Sequence, residues 1–279
     1  MKILITGSNG MLAKAVKNEF KDEELVLTDV NELDITDLEK AISFINEIKP
    51  DIIINCAAYT AVDKAEEQKE IAYKVNAIGP KNLAIASKVC NSILVHISTD
   101  YVFGGNKPIS EEYVEDDIKE PQAVYGSTKL EGEKFIEKEC DMFYIFRTAW
   151  LYGDGNNFVR TMIEAAKTHN KVYVVNDQHG SPTYAVDLAS IIHQAINKRI
   201  PYGIYNATNI GNTTWFDFTR DIYKIKGIKT EVIPVTSEEY KRPAKRPLNS
   251  QMSKEKLLEF GIKIPSYKDA LERYINIEK

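Results

Sequence analysis

The sequence opens with KILITGSNGMLAKAV, residues 2–16, and this stretch decides the fold. Residues 2–6 predict a short buried strand, and the apolar spacing after Gly10 predicts a helix. Between them, G-x-x-G-x-x-A ends at Ala13. Gly7 permits a tight turn, and Gly10 lets a dinucleotide pyrophosphate approach the unpaired N–H groups of the helix N-terminus. Because the glycines lie between a strand and a helix, they predict a dinucleotide site.

A second apolar run, Leu25–Leu27, is followed closely by Asp29. A carboxylate at this distance from the glycines suits hydrogen bonds to the ribose 2′-hydroxyl. Asp29 is therefore predicted to favour NADH, because the 2′-phosphate of NADPH would meet a like charge. Lys14 is the nearby cation that could reach such a phosphate, so NADPH is expected to be accepted more weakly. A surface loop acid is the alternative interpretation of Asp29.

Strand-like and helix-like runs alternate through the first half of the chain. The strand-like runs are short and rich in Ile, Leu and Val: Ile3–Ile5, Leu25–Leu27, Ile52–Asn55, Ile93–Ile97 and Phe143–Phe146. Helices are predicted near 11–20, 37–49, 68–90 and 124–139. Near-continuous apolar strands indicate burial on both faces and a parallel sheet covered by helices. The predicted fold class is α/β, a Rossmann-type doubly wound parallel sheet with a smaller C-terminal α/β substrate lobe.

The pattern loosens beyond residue 150. Val172–Val175 is predicted to add a sixth strand to the sheet. Further strands are predicted near 203–207 and 231–235, and helices near 157–168, 187–198, 214–226, 253–260 and 267–277. We expect residues 1–150, completed by parts of 165–200, to form the dinucleotide-binding domain. Residues 201–279, with parts of 151–164, are expected to form most of the substrate lobe.

Composition narrows the class of protein. The 279 residues are 43% hydrophobic and 28% charged, which is typical of a soluble globular protein. A net charge of −5 gives no electrostatic case for nucleic acid or an anionic membrane. A strand beginning at residue 2 leaves no room for a signal peptide, and no apolar run approaches the ~18 residues of a membrane helix, so we expect a cytoplasmic protein.

Cysteines and histidines give no metal signal. Cys56, Cys90 and Cys140 are odd in number and lack C-x-x-C spacing, so neither a disulfide framework nor a zinc site is predicted. The histidines lack the i, i+4 spacing of a metal pair. They stand at positions His96, His169, His179 and His193. No metal is expected.

The stretch Tyr125-Gly-Ser-Thr-Lys129 indicates the chemistry. Tyr125 and Lys129 lie four apart and share one face of a predicted helix. Free tyrosine titrates near ~10, and a neighbouring ammonium is expected to lower the pKa of the phenol and make it a better acid. An exposed Tyr and Lys on a surface helix is the plain alternative.

Ligands of an open parallel sheet bind beyond the carboxyl ends of its strands. The distinctive residues all follow predicted strands. They are Gly7–Gly10 after the first strand, Asp29 after the second, Cys56–Thr60 after the third, Ser98–Tyr101 after the fourth and Arg147–Trp150 after the fifth. They are therefore expected to meet at one edge of the sheet.

Taken together, these motifs resemble the extended short-chain dehydrogenase/reductase superfamily, and within it the dTDP-4-dehydrorhamnose reductases. The resemblance covers essentially the full length. Beyond the N-terminal glycines it rests on NCAAYTAVDKAE (55–66), VN (75–76), STDYVF (98–103), YGSTK (125–129), RTAWLYG (147–153), NNF (156–158), NDQHGSPT (176–183) and RPLNS (246–250). Ala13 replaces a third glycine, and Cys56 stands where alanine is usual; both departures are expected to be tolerated.

The resemblance implies an NAD(P)H-dependent oxidoreductase that reduces the 4-keto group of a nucleotide-activated deoxysugar. The reaction would convert dTDP-4-dehydro-L-rhamnose to dTDP-L-rhamnose, for cell-surface polysaccharide precursors. Tyr125 would be the general acid, Thr99 a hydrogen-bond donor to the developing oxyanion, and Lys129 a partner of both Tyr125 and the nicotinamide ribose. A monomer or a homodimer is expected.

The resemblance also implies two sets of binding residues. The predicted cofactor site comprises Gly7, Gly10, Met11, Leu12, Asp29, Asp34, Ile35, Ala58, Tyr59, Thr60, Ile97, Tyr125 and Lys129. Asp34 is expected to cap a helix beside the adenine. The predicted substrate site comprises Thr99, Asp100, Tyr101, Trp150 and Arg246. Arg246 would hold the nucleotide pyrophosphate, with Arg242 as its rival, and Trp150 would face the sugar unless it is simply a core residue.

Two other functions fit the same motifs. One is a nucleotide-sugar 4,6-dehydratase or 4-epimerase, although resembling dehydratases carry Asp-Glu after the catalytic threonine where this chain has Asp100-Tyr101. The other is a non-catalytic regulatory subunit resembling that of methionine adenosyltransferase, in which a dinucleotide would be a structural ligand. The intact Thr99, Tyr125 and Lys129 argue against a purely regulatory role.

Overall fold

The computed structural model describes residues 1–277. Its strands are β1 (Lys2–Thr6), β2 (Glu24–Leu27), β3 (Ile52–Asn55), β4 (Ile93–Thr99), β5 (Phe143–Thr148), β6 (Leu151–Tyr152), β7 (Lys171–Val175), β8 (His179–Gly180), β9 (Thr183–Tyr184), β10 (Gly203–Asn206), β11 (Thr213–Thr214) and β12 (Glu231–Val235). Its α-helices are α1 (Met11–Glu19), α2 (Leu38–Ile48), α3 (Val62–Ala65), α4 (Lys69–Tyr73), α5 (Gly79–Cys90), α6 (Val124–Glu139), α7 (Phe158–Thr168), α8 (Ala185–Lys198), α9 (Trp215–Lys226), α10 (Glu255–Glu259) and α11 (Tyr267–Ile277). A π-helical turn (Lys74–Ile78) joins α4 to α5, and a 3₁₀ turn (Asp100–Val102) follows β4.

Six parallel strands form the central sheet, in the order β10-β5-β4-β3-β1-β2. This confirms the predicted α/β fold. From β1 the chain proceeds to β2 on one side and then to β3 on the other. The strand order therefore reverses between β1 and β3, which is where doubly wound sheets open a ligand crevice.

Alternate residues of the strands face two separate hydrophobic clusters. Ile3 and Ile5 of β1 pack with α1 and α8 on one face of the sheet. Leu4 packs with α2, α5 and α6 on the other. All three side chains are fully buried. Burial on both faces explains why the strands are apolar throughout, as the sequence indicated.

The prediction that Val172–Val175 is the sixth strand of this sheet is wrong. β7 pairs instead with β12 in a separate two-stranded sheet, and β10 takes the sixth position beside β5. Along β7, Val172 and Val174 are buried whereas Lys171 and Tyr173 are exposed. That alternation is typical of a strand with one solvated face and does not suit the middle of a helix-covered sheet.

A third hydrophobic cluster lies outside the central sheet and is built from β7, α7, α9 and α11. Val172, Phe218, Ile222 and Leu271 are among its buried members. Helix α7 and strand β7 thus pack with the C-terminal elements, whereas β10 joins the central sheet. We propose that the substrate lobe comprises α7, β7, α9, β12 and α11.

Candidate active site

A cavity of about 320 Å³ opens at the carboxyl ends of β1, β2 and β3, where the strand order reverses. Six of the predicted cofactor residues line it: Gly7, Gly10, Asp29, Asp34, Ile35 and Ala58. Six further residues line the cavity: Val30, Leu33, Thr36, Cys56, Ala57 and Val75. Cys56 and Ala57 belong to the predicted strand-end stretch Cys56–Thr60, and the other four were not predicted to lie there. Most of these are neighbours of predicted residues, so a whole-loop prediction would have included them.

The glycine turn packs tightly against the segment that follows β3. Gly7 has φ +62°, and a Cβ there would lie 2.7 Å from the backbone of Ala57. No residue with a side chain fits that position, because both the conformation and the close approach exclude it. Gly10 is the N-cap of α1 and has no side-chain cap, so the helix N-terminus is open toward the cavity. A pyrophosphate fits such a cradle.

Asp29 lies at the cavity and is tied to the glycine turn. Its Oδ2 accepts a hydrogen bond from the Asn9 N–H at 3.2 Å, and its Oδ1 accepts from Val30 N–H at 2.8 Å. Lys14, the cation predicted to reach a 2′-phosphate, instead pairs with Asp154 at 2.7 Å. The carboxylate of Asp29 is therefore not neutralised by Lys14.

The prediction that Asp34 caps a helix is wrong. The N-cap of α2 is Asp37, which accepts from Lys40 N–H. Asp34 Oδ1 accepts from both the N–H and the hydroxyl of Thr36, at 2.9 and 2.8 Å, and so closes a local turn before the helix. An Asp can satisfy a backbone N–H two residues later without starting a helix.

The other predicted cofactor residues lie around the cavity in different environments. Leu12 is buried in the core, and Met11 lies close to Gly153. Thr60 is exposed and Ile97 is half-buried at the end of β4. Tyr59 is held by Asn76, whose amide contacts both the N–H and the carbonyl of Tyr59, at 2.8 and 3.0 Å.

Asn76, which holds Tyr59, was not predicted to belong to the site. It lies in the π-helical turn and also contacts the Thr128 hydroxyl of α6 at 3.3 Å. It therefore joins the loop after β3 to the helix that carries Tyr125 and Lys129. The motif VN at 75–76 was its only signal. Single π-turns of this kind are frequent at functional sites.

Thr99 and Asp100 lie buried at the carboxyl end of β4. Thr99 Oγ1 donates to Asp100 Oδ1 at 2.9 Å and accepts from the Tyr101 N–H at 3.2 Å. Burial raises the pKa of Asp100 to about 6, against the opposing hydrogen bonds from Ser250 and Thr99.

Close packing brings α6 against the end of β4. A Cβ at Gly126 would lie 2.1 Å from the carbonyl oxygen of Tyr101, so only glycine permits this approach. The rings of Tyr101 and Tyr125 meet edge to face with centroids 5.5 Å apart. The structure thus brings Tyr125 beside Thr99 and Asp100, as the strand-end argument predicted.

The expected lowering of the Tyr125 pKa is wrong for this structure. Burial raises the pKa of Tyr125 to about 12, and the charge of Asp100 acts in the same direction, while a hydrogen bond with Thr99 opposes the rise. Lys129 does not offset the burial, because its Nζ donates to the carbonyl oxygen of Ile97 and contacts His96 at 3.2 Å. Tyr125 and Lys129 lie on the same helix as predicted, but the Lys129 side chain points to β4.

Burial also changes Lys129 itself. The side chain is 1% exposed, and burial lowers its pKa to about 8 although the nearby Glu133 favours the charged form. An ammonium is expensive to bury, so a lysine in this position loses its proton at a lower pH than one in water.

A buried ion pair between Arg147 and Glu133 holds α6 against the central sheet and was not predicted. Arg147 Nε and Nη2 donate to the two oxygens of Glu133 at 3.0 and 2.7 Å, and Nη1 donates to the carbonyl of Glu115 at 2.8 Å. Ser98 also donates to Glu133. Both charged side chains are buried. The pair therefore fixes α6 against β4 and β5 directly beneath Lys129.

Trp150 stacks on Trp215. Their ring centroids are 3.6 Å apart with an interplanar angle of 10°, and both side chains are half-buried. Trp150 has φ +47°, which is unusual for a residue with a side chain, and Gly180 lies so close that a Cβ there would be 2.7 Å from the indole. Trp215 was missed, since it is 65 residues away in the sequence.

Arg246 is held by Asp63 in the first turn of α3. Its guanidinium donates to Asp63 Oδ1 and Oδ2 at 2.8 and 3.1 Å. Arg242, the rival, lies 3.9 Å from the same carboxylate, is about half exposed, and packs over the ring of Tyr240. The orientation of the Arg246 guanidinium is fixed by its bidentate contact with Asp63, whereas Arg242 makes no such contact.

Within residues 1–277 no group of three or more His, Cys, Asp or Glu side chains is placed to hold a metal ion. None of the helices in the described residues has the length and apolarity needed to span a membrane.

Comparison with known proteins identifies the family. A family model described as the RmlD substrate binding domain matches residues 1–279. A dTDP-4-dehydrorhamnose reductase of Aggregatibacter actinomycetemcomitans is 39% identical, with 97% of each chain covered. The crystal structure of a dTDP-4-dehydrorhamnose reductase from Clostridium acetobutylicum is 48% identical with a TM-score of 0.96, covering 100% of this chain and 99% of that one.

A second solved structure, a dTDP-4-dehydrorhamnose reductase from Bacillus anthracis in complex with NADP, is 40% identical with a TM-score of 0.95, covering 100% and 99% of the two chains. These matches confirm the resemblance that the motifs indicated. Because the family model and the relatives extend over essentially the whole length, this chain belongs to the RmlD substrate binding domain family, whose relatives here are dTDP-4-dehydrorhamnose reductases.

Proposed function

We propose that this chain reduces the 4-keto group of a nucleotide-activated deoxysugar with NAD(P)H, converting dTDP-4-dehydro-L-rhamnose to dTDP-L-rhamnose. The single observation that carries this proposal is the meeting of Thr99, Tyr125 and Lys129 at the carboxyl end of β4, beside a glycine-lined crevice. The relatives from Aggregatibacter actinomycetemcomitans and Clostridium acetobutylicum, both dTDP-4-dehydrorhamnose reductases, support the choice of sugar.

The crevice suits the cofactor because Gly10 leaves the N-terminus of α1 open to a pyrophosphate, and Asp29 lines the same crevice, where it would accept hydrogen bonds from a ribose. When bound, a reduced nicotinamide supplies the hydride. Lys129 would contact the nicotinamide ribose.

Tyr125 acts as the general acid. As the sugar C4 receives a hydride, its carbonyl oxygen gains negative charge, and Tyr125 donates the phenolic proton to that oxygen. When substrate is bound, Thr99 would turn its hydroxyl hydrogen from Asp100 to the same oxygen and thereby stabilise the developing charge. A raised pKa of about 12 keeps Tyr125 protonated at neutral pH, so that it can donate the proton.

Substrate contacts are assigned to the neighbouring side chains. We assign Asp100 and Tyr101 to contacts with sugar hydroxyls, and Trp150 to an aromatic contact with the sugar. Arg246 would bind the pyrophosphate with the part of its fork that Asp63 leaves available. Asp63 then serves to orient the guanidinium before the substrate arrives.

A cofactor-oxidation assay with several nucleotide keto-sugars tests the proposal. We expect dTDP-4-dehydro-L-rhamnose to be reduced with one released oxidised cofactor per product. Epimerase activity without net cofactor oxidation would contradict it, as would a lack of turnover with every keto-sugar combined with co-purification of a methionine adenosyltransferase.

We propose further that NADH is preferred over NADPH. Asp29 lines the crevice and Lys14 is paired with Asp154, so a 2′-phosphate bound beside Asp29 would meet a carboxylate that Lys14 does not compensate. We expect kcat/KM for NADH to exceed that for NADPH by about tenfold, or ~1.4 kcal/mol. Asp29→Ala should narrow the gap. The relative from Bacillus anthracis is in complex with NADP, so both cofactors belong in the assay.

Asn31→Ala is the matched control, because this exposed neighbour of Asp29 carries no charge and is expected to leave the ratio unchanged. An NADPH preference in the unaltered protein would contradict the proposal.

Trp150→Ala is expected to raise the KM for the nucleotide sugar by roughly 10- to 100-fold while changing the KM for the cofactor little, since buried aromatic area contributes a few kcal/mol to binding. Steady-state kinetics with each substrate varied in turn measures this. Trp150→Phe should restore most of the affinity. An equal loss for both substrates, or failure to fold, would instead mean that Trp150 serves only as packing for Trp215.

A further inference from the structure

A buried chain of side chains leads from β3 through β4 to Lys129. Asn55 and His96 stand opposite each other on these neighbouring strands. Asn55 Nδ2 lies 3.0 Å from His96 Nδ1, and His96 Nε2 lies 3.2 Å from Lys129 Nζ. All three side chains are at most 1% exposed. The proposed reaction gives no role to Asn55 or His96.

The orientation of the Asn55 amide is fixed by its other partners. The Ala57 N–H donates to Oδ1 at 3.1 Å, and the Thr6 hydroxyl donates to the same atom at 2.7 Å. A backbone N–H can only donate, so the atom that it meets must be the amide oxygen. The NH₂ group of Asn55 is therefore the one that faces His96.

That orientation decides the tautomer of His96. An amide NH₂ can only donate, so His96 Nδ1 must be the accepting, unprotonated nitrogen. Burial holds the pKa of His96 well below its ordinary value, and the charge of Lys129 acts in the same direction, so the ring is neutral. A neutral imidazole with Nδ1 unprotonated carries its proton on Nε2.

The Nε2–H group then points at Lys129. A lysine ammonium has three donors and no acceptor, whereas the neutral amine has a lone pair that can accept from Nε2–H. We propose that Asn55 and His96 are positioning residues that favour the neutral amine of Lys129 and so set the pH above which the site loses its ammonium. The effect on rate rests on the proposed function, but the tautomer and the protonation of Lys129 do not.

The other groups around Lys129 do not remove this preference. The Ile97 carbonyl accepts from Nζ in either protonation state. Glu133, one turn along α6, favours the ammonium, but its carboxylate is bound by Arg147 of β5 and Ser98 of β4.

Charges on the remaining neighbours of α6 act elsewhere along the helix. After α3, Glu66 accepts from the Val124 N–H at the start of α6. From α5, Lys81 lies over the ring of Phe135, beyond Lys129. After β4, the Asp100 carboxylate shifts the pKa of Tyr125. Burial lowers the pKa of Lys129 to about 8. We infer that burial and the Nε2–H group of His96 together determine the protonation state of Lys129.

The consequence is that the pH profile of kcat/KM should fall on its alkaline side at a pH close to neutrality. Lys129 is charged below its pKa and loses its proton as the pH rises through about 8. We expect kcat/KM for the nicotinamide cofactor, which reports groups of the free enzyme, to fall over the same range.

Asn55→Asp is expected to reverse the donors and acceptors of the hydrogen bonds from residue 55 through His96 to Lys129, with little change in side-chain size. The new carboxylate still accepts from Ala57 N–H and Thr6, and it also accepts from His96 Nδ1–H, which leaves Nε2 free to accept from the lysine ammonium. We expect the alkaline limb to move up by about one pH unit or more. Asn197→Asp is the matched control, because it adds the same charge beside another histidine, His193, at the surface. It should leave the limb in place, and an unshifted limb in a folded Asn55→Asp variant overturns the proposal.

Nitrogen-15 NMR of the imidazoles in the unaltered full-length protein tests the tautomer without any assay. At pH 7 we expect His96 to carry a protonated Nε2 and an unprotonated Nδ1. Titration of the Lys129 Cε resonance should give a midpoint near 8. A protonated Nδ1, or a lysine midpoint near the ordinary ~10.4, overturns the proposal even if Asn55→Asp fails to fold. Loss of the proposed function would appear separately, as absent turnover with the expected tautomer intact.

Discussion

Replacing Tyr125 with phenylalanine is expected to cut kcat by roughly 10²–10⁴, the range typical for losing a general acid. The substitution removes only the hydroxyl, so the edge-to-face contact with Tyr101 and the packing of α6 on the 3₁₀ turn should persist. Cofactor affinity should therefore stay within about twofold of the original, or ~0.4 kcal/mol. Single-turnover oxidation of the reduced cofactor, with a parallel binding titration, measures both quantities.

Tyr73→Phe is the matched control, because it removes the hydroxyl of a tyrosine that lies exposed on α4. It should leave turnover unchanged. Near-normal turnover of Tyr125→Phe would remove this residue from the mechanism and leave Thr99 without a partner for the proton transfer.

The second large effect is on stability. Arg147→Met is expected to lower the free energy of unfolding by ~3–5 kcal/mol, because the carboxylate of Glu133 would remain buried without its counter-charge. The substitution keeps a long apolar stem, so the loss comes mainly from the broken pair and not from a cavity. Urea unfolding of the purified chain, followed by far-UV circular dichroism, measures the change.

The double variant Arg147→Met/Glu133→Met distinguishes a loss caused by the unpaired Glu133 carboxylate from a loss caused by a cavity. Removing both charges should recover most of the lost stability, since well-packed apolar residues often replace a buried pair at little cost. The exposed pair Lys167–Glu164 provides a comparison, and Lys167→Met should change the stability by ~0–1 kcal/mol. A loss below about 1 kcal/mol for Arg147→Met would contradict the account of this network.

The central sheet could be predicted because its signals are local. Each buried strand has a short apolar run, and α6 was predicted at the limits that the structure gives, Val124–Glu139. The error at Val172–Val175 arose from ignoring the alternation of buried and exposed residues along that run. Composition suggested a strand, but only periodicity distinguishes a central strand from one with a solvated face.

The candidate site was predictable only as far as its residues follow strands in order. Thr99 and Tyr125 could be placed together because β4 and the following helix meet at one sheet edge. Trp215, Asp63 and Glu133 could not, because each reaches the site through contacts that are distant in the sequence. The pKa of Tyr125 was predicted in the wrong direction for the same reason: burial and the capture of Lys129 by β4 are properties of the folded chain.

Hydride transfer to the sugar C4 is the central claim, and isotope tracing measures it directly. The chain would be incubated with cofactor deuterated at the nicotinamide C4 and dTDP-4-dehydro-L-rhamnose, and the product would be analysed by mass spectrometry and proton NMR. We predict dTDP-L-rhamnose with one deuterium at C4. In a fixed incubation time, Tyr125→Phe should form less of this labelled product, in proportion to its lower kcat. Product without deuterium at C4, or no product while cofactor still binds, would contradict the account.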